Sequence, residues 1–480
     1  MTNGIKNLII ISIDNLRTDC IGANPDKRLL KKYRLKTKLR TPILDNIARK
    51  GVFFNNCVTA APYTTAAHAS ILTGKWPREH KLIEFFRNKL TGDTILDILK
   101  KEKFLTLFQT DYPFLLGPAL GFGKNADKFI ASQESMSFNW IKKNRQKRLV
   151  CFFHFSDIHS PYGFNNLPED SRQYEKEIKI LLKKYRIEAD NKIKAEGGYI
   201  FRSMEKKEII LNQNYQKIID EMYNLKNYSA IMDLYINGIN RFEKKRFKLF
   251  WQSIKKYGLD KDSLIIIVGD HGEAWSDANQ GHFSGGSQDA LNDEIIKVPL
   301  IFYRSGAARR GLINKIVRTI DIVPTALYAL GINALNKRLD GIDILNNTPD
   351  GLPAFSQAWS NHTDRLASFI KKSAEKQIIN PPETHGHLLA SSLNLDSYKL
   401  AYDYSGGEKT SERFYVNGKI KKNGPTENRR LLVKMRNVLN EYDRQTIKNN
   451  MANAKSNNNK ILKMQKAEIA EKLRLLGYKI

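Results

Sequence analysis

The stretch that decides the fold is residues 264–275, which read LIIIVGDHGEAW. Its first five residues are all aliphatic, which is typical of a strand buried on both faces of a parallel sheet. After one glycine, Asp270 and His271 follow this run. Residues 8–14, LIIISID, repeat the pattern near the N-terminus and end at Asp14. The sequence therefore predicts buried parallel strands with polar side chains at their C-terminal ends.

Strands alternate with helices along most of the chain. The apolar runs at 149–155 and 298–303 predict further strands. Thr41 as N-cap, Pro42 at the first helical position and Gly51 predict a helix between them. The alternation predicts an α/β catalytic domain over residues 1–390, with a central, mainly parallel sheet flanked by helices. A Lys- and Glu-rich segment at 163–256 predicts a helical insertion in this domain.

The pattern changes after about residue 391. Residues 398–402 and 413–416 are short apolar runs separated by Gly406-Gly407, which predicts antiparallel strands. Basic amphipathic helices are expected from residue 428 onward. Residues 391–480 are therefore expected to form a small C-terminal subdomain, with an antiparallel sheet and basic helices.

Composition excludes several classes of protein. Hydrophobic residues make up 41% of the 480 residues, which is enough for a core and argues against general disorder. There is no apolar run of roughly 18 residues, so no transmembrane segment is expected. The first apolar stretch is too short for a signal sequence, which favours a cytoplasmic location. The three cysteines have no CxxC spacing and are expected to be core thiols: Cys20, Cys57 and Cys151.

The chain is strongly basic, with 79 Lys and Arg against 50 Asp and Glu and a net charge of +29. One interpretation is a field that attracts anionic partners. The other is compositional bias, because Lys, Asn and Ile are all abundant. The sequence has no helix-turn-helix, zinc-finger or aromatic RNA-binding motif, so a nucleic-acid partner is not expected.

Polar clusters follow three of the predicted strands. They are Asp14, the pair Asp270-His271, and residues 157–162. Open α/β sheets bind ligands at the carboxyl ends of their strands. Two carboxylates and an imidazole at neighbouring strand ends are suitable ligands for a divalent metal ion. Thr64 precedes a predicted helix, where free amides stabilise negative charge, although a simple helix-capping role is the competing interpretation.

These motifs, in this order, resemble the sulfatase-like branch of the alkaline phosphatase superfamily. The resemblance covers nearly the whole chain, and no single motif in it is decisive. The stretches that carry it are residues 7–19, 41–74, 155–162, 264–275, 295–303, 319–332 and 469–478.

The resemblance implies a divalent metal ion (Ca, Mg, Mn or Zn) held by Asp14, Asp270 and His271, with Thr64 beside it as the nucleophile. Asn15 stands where many relatives have a second carboxylate, and its amide oxygen is a further candidate ligand.

The resemblance also implies catalytic histidines. His159 would face the anionic ester, and His282 would meet the leaving group or a second metal, with a plain surface position as the alternative for His282. His68 occupies the position of the signature arginine of sulfatases and would bond the nucleophile or the anion. Arg17 and Lys75 are weaker candidates.

Thr64 departs from the pattern of most sulfatases, which carry Cys or Ser here and oxidise it to formylglycine. Threonine cannot form that aldehyde, but it occurs here in phosphodiesterases and in phosphoethanolamine and phosphoglycerol transferases. A phosphothreonine can be resolved by in-line attack at phosphorus. Ala66-Ala67 also replace the usual Pro-Ser.

We therefore expect a metal-dependent hydrolase that cleaves or transfers a phosphate or sulfate ester, on an anionic glycan or a lipid-linked substrate. The alternative is a catalytically inactive relative that binds an anionic glycan, which the altered turn, Asn15 and the +29 charge would suit. His154 lies within an apolar strand and is expected to be a core residue.

Overall fold

The computed structural model describes residues 4–83, 89–90, 92–113, 115–164, 171–192, 206–280, 288–307, 309–333, 338–359, 388–404, 408–421 and 429–456. These residues form a nine-stranded sheet, a five-stranded sheet and a two-stranded ribbon.

The nine-stranded sheet is the centre of the fold. Its order is β10-β2-β9-β6-β1-β5-β3-β4, and β11 pairs with β2. All its pairings are parallel except those of β9, which is antiparallel to β2 and β6. Its strands are β1 (Asn7–Ile13), β2 (Val52–Val58), β3 (Leu105–Thr110), β4 (Lys128–Ala131), β5 (Leu149–Phe155), β6 (Ser263–Gly269), β9 (Lys297–Tyr303), β10 (Gly311–Ile313) and β11 (Val317–Arg318); β7 (Trp275–Ser276) and β8 (Asn279–Gln280) form the ribbon.

Helices cover both faces of this sheet. Ile9 and Ile11 of β1 pack into one hydrophobic cluster, and Leu8 and Ile10 pack into another on the opposite face. Every residue of β1, β5 and β6 is buried, which is why these strands are mainly apolar. The predicted mainly parallel α/β fold is confirmed. The helices are α1 (Pro42–Lys50), α2 (Thr64–Thr73), α3 (Pro77–His80), α4 (Ile95–Lys101), α5 (Glu134–Lys143), α6 (Ser171–Tyr185), α7 (Lys206–Asn224), α8 (Tyr228–Phe242), α9 (Lys248–Lys256), α10 (Leu259–Asp262), α11 (Asp293–Ile296), α12 (Ile322–Ala329) and α13 (Arg429–Ser456).

Helix α1 begins at Pro42, as predicted, but the side chain of Thr41 does not cap it. The Thr41 hydroxyl donates instead to Asp45 at 2.8 Å. Glu243, about 200 residues away in the chain, accepts from the amides of Ile43 and Leu44 and caps the helix in its place. Burial raises the pKa of Glu243 to about 7. Thr41 therefore occupies the N-cap position, as predicted, but a distant carboxylate and not the Thr41 side chain accepts from the first amides of the helix.

The segment predicted as a helical insertion, 163–256, contains α6, α7, α8 and α9. Helices α8 and α9 are joined without a break by a π-turn at Glu243–Phe247. The apolar face of this long helix packs against the same side of the sheet as α1 and α5.

The second sheet is antiparallel, with the order β12-β13-β14-β15-β16. Helix α13 packs on it, and Phe355 and Tyr442 stack at a centroid distance of 3.8 Å. The sheet begins before the expected boundary at residue 391, because β12 pairs with β13 from far upstream in the chain. Residues 457–480 lie outside the described residues. The strands are β12 (Ala354–Trp359), β13 (Leu388–Leu395), β14 (Tyr398–Asp403), β15 (Ser411–Val416) and β16 (Lys419–Ile420).

Among the described residues, no helix combines the length and apolar character needed to cross a membrane. The cytoplasmic location and the lack of a nucleic-acid partner stay predictions. The three cysteines are buried free thiols.

Candidate active site

Three neighbouring strands end at one edge of the central sheet and carry the predicted site residues there. In the parallel register, Ile13 of β1 aligns with Phe155 of β5 and with Gly269 of β6. The residues that follow are therefore brought together, although they are more than 100 positions apart in the chain. Gly272 belongs to the same turn, and a Cβ there would lie 2.1 Å from the carbonyl oxygen of Glu294. Only glycine fits at this position.

Asp14, Asp270 and His271 form a compact cluster. One ligand atom from each lies within 4.8 Å of the others, and all three residues are completely buried. His271 donates from Nδ1 to the carbonyl of Gly272, so its Nε2 faces the carboxylates. This nitrogen is 3.6 Å from Oδ1 of Asp14 and 3.4 Å from Oδ2 of Asp270.

The oxygens of this cluster fit a divalent cation. Oδ1 of Asp14, Oδ2 of Asp270 and Oδ1 of Asn15 are buried without a hydrogen bond. Burial raises the pKa of Asp14, and burial together with the charge of Asp14 raises the pKa of Asp270 to about 7. Buried carboxylate oxygens without hydrogen bonds are costly, and a cation coordinated by them would remove that cost. Carboxylate oxygen and imidazole nitrogen are ligands that such ions accept.

Asn15 follows Asp14 directly, and its backbone amide donates to Oδ1 of Asp270 at 3.1 Å. Its backbone is left-handed, with φ of 64°, a conformation that asparagine tolerates. Its Nδ2 donates to Glu273 at 2.9 Å, which leaves Oδ1 as the only atom that could ligate.

Thr64 is the first residue of α2, and Tyr63, not Thr64, is the N-cap. The capping interpretation of Thr64 is therefore wrong. Its hydroxyl lies 3.3 Å from Nε2 of His271 and 3.5 Å from Oδ2 of Asp14. The helix N-terminus places free amides near this hydroxyl. The structure thus brings the predicted nucleophile against the predicted metal ligands.

His68 lies one helical turn after Thr64 and is completely buried. Its Nδ1 donates to the carbonyl of Thr64 at 2.7 Å, and its Nε2 accepts from the hydroxyl of Ser12 at 2.8 Å. Burial lowers its pKa to about 3, so the ring is neutral. His68 contacts the nucleophile through the backbone carbonyl and does not supply the charge of the arginine it replaces.

His159 is partly exposed, unlike the other described site residues. Its Nδ1 donates to the carbonyl of Ser160 at 3.1 Å, and the ring of Tyr112 meets it edge-on at 5.9 Å. His159 is close enough to Asp14 to favour ionisation of that carboxyl group, which partly offsets the effect of burial on its pKa.

The other candidates do not join the cluster in the part of the chain that the structure describes. His282 lies in 281–287, outside the described residues. Arg17 is completely buried and pairs with Asp19 and Glu294 at 2.8 Å each, so its charge is already neutralised. Lys75 lies close enough to His80 to affect that ring electrostatically.

His154 is a site residue that sequence reasoning missed. It lies in the buried strand β5, as expected of a core residue, but its Nε2 is 3.3 Å from Oδ2 of Asp14. Its Nδ1 is 3.3 Å from the hydroxyl of Thr110, and burial lowers its pKa to about 4. Ser12 aligns with His154 on the neighbouring strand. Polar residues inside two apolar strand runs were the available signal.

A family model for sulfatases matches residues 6–332 of the chain. The chain belongs to the sulfatase family. The resemblance to sulfatases that the sequence motifs indicate is therefore confirmed as membership of this family. The family comprises hydrolases that act on ester bonds.

The chain is also similar in sequence to a protein that makes glycans, by its name. The low-salt glycan biosynthesis sulfotransferase Agl7 of Haloferax volcanii is 22% identical over 359 residues, or 72% of this chain. The match spans 66% of Agl7, slightly less than two thirds of its length.

Two solved structures are similar in fold. That of BT4656, in complex with its substrate D-glucosamine-2-N,6-O-disulfate, has a TM-score of 0.62 at 15% identity and covers 93% of this chain and 99% of its own. That of an alkaline phosphatase superfamily protein from Vibrio parahaemolyticus has a TM-score of 0.52 at 13% identity, covering 94% and 89%. These likenesses show that the chain has a fold similar to those of the two proteins.

Proposed function

We propose that this sulfatase-family protein is a metal-dependent enzyme that cleaves or transfers a phosphate or sulfate ester, with Thr64 as its nucleophile. The observation that carries the proposal is the position of the Thr64 hydroxyl, 3.3 Å from Nε2 of His271 and 3.5 Å from Oδ2 of Asp14. A hydroxyl is a weak nucleophile at neutral pH and needs activation.

Asp14, Asp270 and His271 would hold the divalent cation, which is Ca, Mg, Mn or Zn. When bound, the cation supplies positive charge that favours an ionised Thr64 hydroxyl and offsets charge on the ester oxygens. His271 is already oriented for this role, because its Nδ1 is held by the carbonyl of Gly272. Asn15 is the further candidate ligand.

The reaction has two displacements. The Thr64 oxygen forms a bond to phosphorus or sulfur while the bond to the leaving oxygen breaks, and the leaving oxygen takes up a proton. Water, or an acceptor hydroxyl in a transferase, then attacks the same atom and releases Thr64. His159, at the partly exposed side of the cluster, would bond the anion or protonate the leaving oxygen. His282 stays a candidate for this second role.

Two lines of argument favour different esters. Threonine cannot form the formylglycine of most sulfatases, so Thr64 favours phosphoryl transfer. The names of Agl7, a glycan biosynthesis sulfotransferase, and of the BT4656 complex, which contains a sulfated sugar, favour a sulfate ester. In both cases the substrate would be anionic, and a saccharide or lipid-linked substrate suits the net charge of +29.

A catalytically inactive binding protein is not favoured. Such a protein could bind an anion with basic side chains alone. It would have no need for the buried oxygens of Asp14 and Asp270, which lack hydrogen bonds and are costly to bury.

The test compares Thr64→Ala with Thr73→Ala. Thr73 is a buried threonine of the same helix whose hydroxyl bonds the carbonyl of Ala69, so it is a matched control. Chromogenic phosphodiester, phosphomonoester and sulfate ester substrates are assayed with each of Zn²⁺, Mn²⁺, Mg²⁺ and Ca²⁺. We expect Thr64→Ala to lower kcat by at least about 10³-fold, as for other nucleophile substitutions, and Thr73→Ala to retain activity. An active Thr64→Ala variant, or no turnover of any ester by folded wild type, would contradict the proposal.

A further inference from the structure

The π-turn at Glu243–Phe247 lies within the long helix that α8 and α9 form. Its sequence shows why: the apolar side chains Phe242 and Phe247 are five positions apart, where an α-helix would bury residues three or four apart. The extra residue brings two polar side chains of the turn, Glu243 and Arg246, to the buried side. Such π-turns occur frequently at functional sites.

Arg246 is bound by three carboxylates. Its Nη1 donates to Asp111 at 2.7 Å and to Asp157 at 2.6 Å, and its Nη2 donates to the other oxygen of Asp111 at 2.9 Å. Its Nε donates to Glu134 at 3.0 Å, and its Nη2 also contacts this carboxylate. The side chain of Arg246 is only 8% exposed. We call Arg246, Asp111, Asp157 and Glu134 the arginine clamp.

The clamp joins the loops that follow two neighbouring strands. Asp111 comes directly after β3, and Asp157 lies two residues after β5. Asp111 also accepts from the amide of Ser156 at 2.9 Å, so it is bonded to the turn after β5 as well as to Arg246. A lysine could not make this set of contacts, because its single ammonium lacks the planar fork of donors.

Both loops lead to the candidate active site. His159 lies two residues after Asp157, and its amide donates to the carbonyl of Ser156 at 3.0 Å. Tyr112 follows Asp111 and packs against the rings of His159 and His154, at 5.9 Å and 5.6 Å. The position of the His159 ring is therefore set by two loops that share one guanidinium.

We propose that Arg246 is a positioning residue, which fixes the turn carrying His159 at the entrance of the metal cluster through Asp111 and Asp157. The role of His159 toward the ester rests on the function proposed above. The positioning itself is a property of the protein alone and can be measured without turnover.

The first test compares Arg246→Lys with a matched control, Arg145→Lys. Arg145 is also a partly buried arginine that binds a carboxylate, Asp262 at 2.8 Å, and loop carbonyls. It lies near the beginning of β5 and β6, at the opposite edge of the sheet from His159. We expect Arg246→Lys to raise KM and to lower kcat/KM by about 10- to 100-fold, because misplacing a substrate-positioning group has effects of this size. The kcat/KM of Arg145→Lys should stay within about threefold of the wild-type value.

The second test asks whether Arg246 acts through His159. Arg246→Lys is introduced into the His159→Ala variant, and kcat/KM is measured for the four members of the cycle. We expect no further loss in the His159→Ala background, within about twofold. The same fold loss in both backgrounds would show that the residues act independently and would overturn the proposal.

The third test does not depend on activity. The ring of His159 is observed by NMR in metal-free protein labelled with ¹³C at histidine Cε1, and its signal is assigned as the one lost in His159→Ala. We expect this signal to shift or broaden in Arg246→Lys and to stay unchanged in Arg145→Lys. An unchanged signal in folded Arg246→Lys would overturn the proposal even if no ester were turned over. A shifted signal without turnover would leave the positioning role standing and contradict only the proposed function.

A second variant covers the case in which Arg246→Lys does not fold. Asp157→Ala breaks the link to the His159 turn but leaves Arg246 bound to Asp111 and Glu134. It also removes an oxygen, Oδ1, that is buried without a hydrogen bond. This variant should fold and should shift the His159 signal in the same way, and an unchanged signal would again overturn the proposal.

Discussion

Two groups of buried carboxylates lie at the same edge of the central sheet. They differ in whether a basic side chain of the protein is bonded to them. In the arginine clamp, Asp111 and Asp157 are both bonded to Arg246. In the metal cluster, the described residues place only histidines, and no lysine or arginine, in ion-pair contact with Asp14 and Asp270. The comparison shows that the fold supplies a counter-charge where the role of the carboxylates is structural. Where it does not, a cation from outside the chain is the natural partner.

The pKa values reflect this difference. Burial would raise the pKa of Asp111, but the guanidinium of Arg246 outweighs burial and holds it below its usual range. Asp270 has the opposite environment, because both burial and the neighbouring Asp14 raise its pKa. Asp157, which is also bonded to Arg246, lies between these two cases, because burial raises its pKa to about 6 and the guanidinium only partly opposes the shift.

The largest expected effect is on metal binding. We expect Asp270→Ala to weaken binding of the activating divalent ion by more than about 100-fold, because it removes a ligand and not merely a residue supporting one. Asp111→Asn, in the clamp, should change this affinity by less than about threefold. Isothermal titration calorimetry measures both. Equal losses in the two variants would show that the two groups do not have separate roles.

The next effect is on stability. Arg246→Met would leave buried carboxylates of the clamp without their cation, and we expect the free energy of unfolding to fall by about 3–5 kcal/mol. Urea denaturation of the metal-free protein measures this value. Combining it with Asp157→Ala should restore part of the loss, because one fewer carboxylate is left unpaired. A double variant no more stable than Arg246→Met would contradict the assignment.

A smaller effect is expected in the second sheet, where the described hydrogen-bond donors to Asp443 are all neutral: Gln357, Ser391 and Tyr404. Burial raises the pKa of Asp443 to about 6, with these donors and the positive charge of Lys409 only partly opposing the shift. Because the folded state holds the proton more tightly than the unfolded state, stability contributed by this group is present below about pH 4 and is lost as pH rises to about 6. The loss should amount to about 2–3 kcal/mol.

Asp443→Asn is the variant that tests this contribution. The variant should lose that part of the pH dependence of the free energy of unfolding between pH 4 and 7, measured by urea denaturation at several pH values. Asp396→Asn, an aspartate at the turn between β13 and β14, is the control and should keep it. An unchanged slope in Asp443→Asn would contradict the raised pKa.

Local sequence patterns predicted the central strands of the sheet. The strand at 149–155 has the predicted bounds, and the strands at 264–268 and 298–303 each extend by only one or two residues. These strands are buried on both faces, so nearly every residue in them is apolar, and the apolar run indicates where each strand begins and ends. β12, in the second sheet, was not predicted. It has no distinct apolar run in the sequence and is recognised by its pairing with β13.

The candidate site was only partly predictable for a similar reason. Asp14, Asp270 and His271 follow apolar strands directly, and parallel strands place such residues at one edge. The sequence analysis assigned His154 to the core because its neighbours in the chain are apolar. The structure aligns His154 with Ser12 on the neighbouring strand and places its Nε2 3.3 Å from Oδ2 of Asp14. The clamp depends on Arg246, more than 80 residues from Asp157, and no local pattern connects them.

The sequence by itself determined the class of sheet, the polar ends of its central strands and the family, because these are carried by short apolar runs and ordered motifs. The tertiary structure decided which buried charges are neutralised by the chain and which are left for a cation. It also decided that His68 is neutral and that a distant arginine holds the turn of His159. Those outcomes depend on distances of a few ångströms between residues far apart in the chain, and Coulomb and desolvation energies change steeply over such distances.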